Sequence, residues 1–214
     1  MRVLLLVIIF MSVSNLSGLK SSWATLTPGE IQDAIEQELS LRHPDHNGQW
    51  WRDLGPAASD VILSMYQNQN LLFYHRIRLL EALAWFPENK QAVELLKQEA
   101  TSKTNLTLQE TAIRALGRSQ GVKVSEFLSQ GFNSKFPRIR AASGEALSEI
   151  AHPEAEKLLT RFLSDEKQTW VVKRIHSHQR RRGLSTSESL SRVRSDSSMS
   201  LENSGKKIKK IQYK

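Results

Sequence analysis

The sequence predicts an all-α fold, a superhelical solenoid of about four helical hairpins behind an N-terminal capping helix. Three observations point to it. An Ala-Leu pair recurs at Ala82-Leu83, Ala115-Leu116 and Ala146-Leu147, with spacings of 33 and 31 residues. A period in this range marks a stacked helical repeat. All six prolines (28, 44, 56, 87, 137 and 153) fall at boundaries of the helices that this period implies. Proline inside a helix costs about 3 kcal/mol, so a wrong register would have trapped one. Small residues (Ala82, Ala112, Ala115, Ala142, Ala146) share helices with bulky ones (Leu83, Leu116, Ile139, Leu147, Ile150, Leu158, Leu159, Phe162). The first set lets helices approach closely and the second fills the core. A single hairpin cannot bury its apolar face, so neighbours must stack.

The elements follow in chain order. Arg2 precedes an apolar run from Val3 to Met11, then a polar stretch ending in Ser22-Trp23-Ala24. Small residues at 22 and 24 suit a signal-peptidase cut, and the apolar run is shorter than the roughly 20 residues that span a bilayer. Residues 1–24 are therefore expected to be an export signal, placing the chain in the periplasm or outside the cell. The sequence contains no cysteine, so neither disulfides nor lipid attachment through a thiol is available.

Residues 25–53 hold one helix, at 28–41, and a loop. Thr27 caps this helix, Pro28 suits its first position, and Glu30 completes a capping box. From residue 54 to 178 the period takes over. First helices are expected near Pro56, Glu88, Val122 and Glu154, and second helices near Leu72, Leu106, Pro137 and Lys167. Beyond, at 179–214, the serine-rich and basic composition cannot bury enough apolar surface to offset ordering entropy, and a disordered tail is expected.

The formal charge of +8 belongs to that tail. Residues 174–214 carry eleven Lys or Arg against three acids, whereas 25–173 carry seventeen against nineteen. The body is close to neutral, which removes the usual electrostatic argument for nucleic acid.

"PRIRAASGEALSEIAHPEAEKLLTRFLSDE", beginning at Pro137, resembles a HEAT repeat of the short bacterial type, also called the phycobilisome-lyase HEAT-like repeat. The resemblance rests on Ile139-Arg140, Ala141-Ala142, Ala146-Leu147 and Leu158-Leu159, and it extends as four repeats over about 54–178. It implies a right-handed α-superhelix whose second helices line a concave face. It also implies that the repeat arginine pairs with an acid in the adjacent repeat, or else faces a partner.

Candidate sites are few. Arg76, Arg140 and Lys173 take similar places in the first, third and fourth second helices, with Gln109 interrupting the series. They form either a structural ladder or a cationic stripe for an acidic protein; a planar guanidinium serves both. Trp50 and Trp51 precede the first repeat and either cap the stack or form a contact patch. Trp85, beside an Ala-Leu pair, reads as core. His43 with His46, and His176 with His178, read as surface side chains, because no further ligand for a metal is evident. His75 and His152 read as structural. No G-x-S-x-G, phosphate-binding glycine loop or H-E-x-x-H occurs. Asn105-Leu106-Thr107 fits a glycosylation sequon.

The expectation is thus a non-catalytic scaffold binding a protein on its concave face, without cofactor or metal. Two alternatives stand beside it. One is a lyase-like or accessory protein of an enzyme complex. The other is attachment of the tail to an anionic surface or, less in keeping with its single aromatic, to nucleic acid.

Overall fold

A computed structural model describes residues 26–41 and 48–181. The export signal, His43, His46 and nearly all of the basic tail lie outside the described residues. Among those residues every regular element is helical and there is no strand.

Helix α1 spans Pro28–Ser40. The Thr27 hydroxyl accepts from the Glu30 amide, and the Glu30 carboxylate accepts from the Thr27 amide at 2.8 Å, so the expected capping box forms. Ile31, Ile35 and Leu39 are buried on one face, and α1 lies against α3 (Ala58–Gln67). Between them Gly48–Asp53 forms a short helix, α2, where a loop was expected. Gly48 begins it because a Cβ there would enter the Trp85 indole.

The remaining helices are α4 (Phe73–Leu83), α5 (Lys90–Thr101), α6 (Leu106–Gln120), α7 (Ser125–Ser129), α8 (Pro137–Ser148), α9 (Pro153–Asp165) and α10 (Thr169–Arg181). Seven of the eight starts expected from the period fall within two residues of these boundaries. The exception is the helix expected from Val122. That stretch instead runs as a 3-10 turn at Gly121–Val124, the short α7, and a second 3-10 turn at Gln130–Asn133. Gly121 takes φ +56°, which ends α6. Gly131 then runs so close to α8 that a Cβ would strike the Ser143 hydroxyl, leaving no room for a longer regular helix.

Packing follows the small residues. Helices α4, α6, α8 and α10 touch in series, α5 packs on α4 and α6, and α7 and α9 pack on each other and on α8. At the α6–α8 contact a Cβ on Gly117 would lie 2.9 Å from Ala146 Cβ, so both positions must stay small. Leu83, Leu116, Leu147 and Ile175 are sealed from solvent within one continuous core.

Local capping also contributes. Asn105 caps α6, its Oδ1 accepting from the Thr107 and Leu108 amides at 2.9 and 3.2 Å. Asn105→Ala is expected to lower unfolding free energy by about 1 kcal/mol, measured by urea titration with unchanged helical circular dichroism.

Candidate functional site

The fourth position of each of the first three second helices has a common task. Arg76 donates to the Tyr66 and Asn68 carbonyls at 3.0 and 2.7 Å, closing the C-terminus of α3. Gln109 donates to the Ala100 carbonyl at 3.0 Å, near the end of α5. Arg140 donates to the Ser134 carbonyl at 2.9 Å. The Tyr66 and Ala100 carbonyls lie in the last turns of α3 and α5, where the helix itself supplies no partner, and Asn68 and Ser134 directly follow helix ends. Gln109 therefore continues the series it interrupts in the sequence.

Arg140 has a second attachment. Its Nε and Nη2 meet the two Glu166 oxygens at 2.7 and 3.0 Å, joining α8 to the end of α9. Lys173 is different: it is exposed on α10 and makes no ion pair among the described residues. Arg76, Arg140 and Lys173 thus do not present three free cations in a row. Trp51 is buried and Trp50 is half-buried against the core, their rings edge to face with centroids 4.8 Å apart. Trp85 is held between Arg52 and Arg118, whose guanidinium carbons stand 5.5 and 5.7 Å from its ring.

A more extensive polar feature crosses the row α4–α6–α8–α10. The residue preceding each Ala-Leu pair is Glu81, Arg114 and Glu145 in turn, and Arg174 follows on α10. Four positions further along lie Trp85, Arg118, Glu149 and His178. Signs alternate from helix to helix. Glu145, nearly buried, takes Arg114 Nε at 2.9 Å and Arg174 Nε at 2.7 Å. Glu149 lies 3.9 Å from Arg118 and 2.9 Å from His178 Nε2. Glu110, also buried, takes Arg138 at 2.7 Å. The lattice holds adjacent helices in register while leaving part of each guanidinium at the surface: the Arg138 side chain is 50% exposed and that of Arg174 is 33% exposed.

Burial raises the Glu145 carboxyl, but the bonds and charges of Arg174 and Arg114 outweigh it and hold the group below the usual carboxylate range. The bond from Arg140 likewise lowers Glu166, against a smaller cost of burial. Glu81 is pushed the other way by desolvation, only partly countered by Arg118, Arg78 and Arg114. Glu145 and Glu166 therefore contribute stability above the unfolded carboxylate pKa, about 4.3, which is lost as pH falls through their lowered values. Glu81 contributes with opposite sign, present at low pH and lost as pH rises through its raised value. Stability by urea titration is expected to decline below about pH 4, and Glu166→Gln should flatten that decline. An unchanged midpoint from neutral pH to well below 4 would contradict these pairings.

An open groove of about 700 Å³ lies between α7 and α9, with the Arg140–Glu166 pair in its wall and Phe132 and Phe162 stacked beside it at 3.8 Å. His176 bonds to Gln179, and His152 caps α9. No group of three or more His, Asp or Glu is placed to hold a metal among the described residues. No described helix is long and apolar enough to cross a membrane. No family model matches the chain, and no curated protein matches it significantly.

Proposed function

We propose that this chain is a non-catalytic scaffold of HEAT-like hairpins, a right-handed solenoid acting after export, and that it binds a protein partner across the face of α4, α6, α8 and α10. The observation that supports the reading is the alternating charge lattice on that face. Buried Glu110 and Glu145 fix guanidiniums at regular intervals. Side chains immobilised before contact lose less entropy on binding, and arginine is well suited to interface anchoring.

The contact residues this reading favours are Arg138, Arg174 and Lys173, three of the cations on these helices that still face water. Arg76 and Arg140 belong to the framework, and Trp50 with Trp51 to the covering of its first end. The test is cross-linking of the mature chain in a native envelope fraction, with mapping of the linked residues. The proposal expects a partner linked through α6, α8 and α10 and lost on Arg138→Glu with Arg174→Glu, at unchanged helicity. Links confined to the first-helix side, or capture indifferent to both substitutions, would overturn it.

A further inference from the structure

Four contacts place all the turns that lead into second helices along one edge of the molecule. Tyr66, near the end of α3, donates to Glu99, near the end of α5, at 2.8 Å. Arg138, at the start of α8, meets Glu110, near the start of α6. Arg140 joins the start of α8 to Glu166, after α9. Arg76 ties the start of α4 to the end of α3. The turn between α4 and α5 lies at the other edge, where Gln120, ending α6, donates to the Pro87 carbonyl.

The first edge is unusual in composition. Leu72, Phe73, Tyr74 and Trp170 are among the exposed large apolar residues of the described chain, and all four sit on it. Leu72 is the most exposed of them, at 64%. "NQNLLFY", residues 68–74, contains no charge, so nothing ionised has to be desolvated if its tip leaves water. Between this tip and Trp170 the edge carries Lys103, Lys135 and Lys167, all exposed. Asp165, at the end of α9, is exposed; Glu166 is held by Arg140 and Glu99 by Tyr66.

We propose that this edge docks the folded body on an anionic lipid surface. Phe73 and Leu72 enter the interface at one end and Trp170 at the other, and the three lysines meet lipid phosphates between them. Aromatic and lysine side chains together are the composition that settles at a membrane interface. The pairing of uncharged apolar tips with lysines suits an anionic lipid surface, which offers an apolar interior beneath a layer of phosphates. The inference does not depend on the protein-binding reading, although the edge borders that face at Arg138 and at Lys173, one turn from Trp170 on α10.

The test uses the mature chain, residues 25–214, with vesicles of phosphatidylcholine, with or without roughly one-third phosphatidylglycerol. The basic tail can hold the chain to such vesicles by charge alone, so insertion has to be read separately. Because the sequence has no cysteine, a single environment-sensitive dye can be placed at Phe73→Cys, with Glu88→Cys on the opposite edge as control. The expected result is a blue shift at 73 but not at 88, on the anionic vesicles. Leu72→Ser, Phe73→Ser and Trp170→Ser combined should weaken vesicle binding by about tenfold or more. Neutralising the three lysines to glutamine should weaken it by roughly 100-fold. These side chains are exposed, so the variants should fold, which circular dichroism checks. A silent dye with binding unchanged in the serine variant would assign attachment to the tail and overturn the proposal. So would absence of binding, or a dimer that the serine substitutions dissociate, which would make a second copy the occupant.

Discussion

Glu38→Ala is expected to destabilise the protein by about 3–5 kcal/mol, the largest effect of any single substitution considered. Glu38 on α1 accepts from Arg78 on α4 at 2.6 Å, and the two side chains are only 1% and 9% exposed. Arg78 already has one buried nitrogen, Nη1, without a hydrogen-bond partner. Removing the carboxylate leaves a guanidinium in the interior without its hydrogen-bonded ion pair and without full hydration. Replacing both members with apolar side chains, as Glu38→Leu with Arg78→Met, should recover much of the loss, because a buried pair often contributes little net stability over a hydrophobic substitute. Urea titration of the two single variants and the double variant measures this directly. Equal destabilisation in all three would mean that packing, not charge, holds α1 in place.

Glu145→Gln is expected to cost about 2–3 kcal/mol. One nearly buried carboxylate serves Arg114 on α6 and Arg174 on α10, so its loss loosens three helices at once. The cost stays below that of Glu38→Ala because both arginines reach water, being 28% and 33% exposed. The change should also couple to Arg174→Ala in a double-mutant cycle. Additive effects would show that the lattice is not a connected unit. This variant also bears on the binding proposal, since Glu145 fixes a contact-side arginine without itself reaching the surface.

Much of this was legible in the sequence, and the reasons are physical. Proline at 28, 137 and 153 occupies the first residue of α1, α8 and α9, where its missing N–H costs nothing. The Ala-Leu period located the second helices because close packing at α6–α8 admits only small side chains, a constraint that sequence records faithfully. Helix α2 was hidden because six residues beginning with glycine show no period. The broken helix around α7 was hidden because its cause, the approach of Gly131 to Ser143, is made by residues apart in sequence.

The polar face is present in the sequence as a series of alternating charges rather than like ones. Arg76, Arg140 and Lys173 attract notice as like charges at like positions. Stacked helices instead place opposite signs beside one another, so the informative series was Glu81, Arg114, Glu145 and Arg174. Its first three members stand immediately before the Ala-Leu pairs that revealed the repeat. Gln109 shows the complementary point, since a neutral amide can satisfy the same carbonyl that a guanidinium does.

In the proposed solenoid, α4 and α10 lie at opposite ends of a row rather than together in a closed bundle. The absence of cysteine from the sequence allows spin labels to be attached cleanly at Phe73→Cys and Lys173→Cys, one near the start of each helix. Pulsed dipolar spectroscopy between them measures the span. Three successive helix contacts of about 8–10 Å each give an expected separation of roughly 25–30 Å. A single narrow distance near or below about 15 Å, the reach of two helices in direct contact with their labels, would contradict the stacked arrangement and the face built on it.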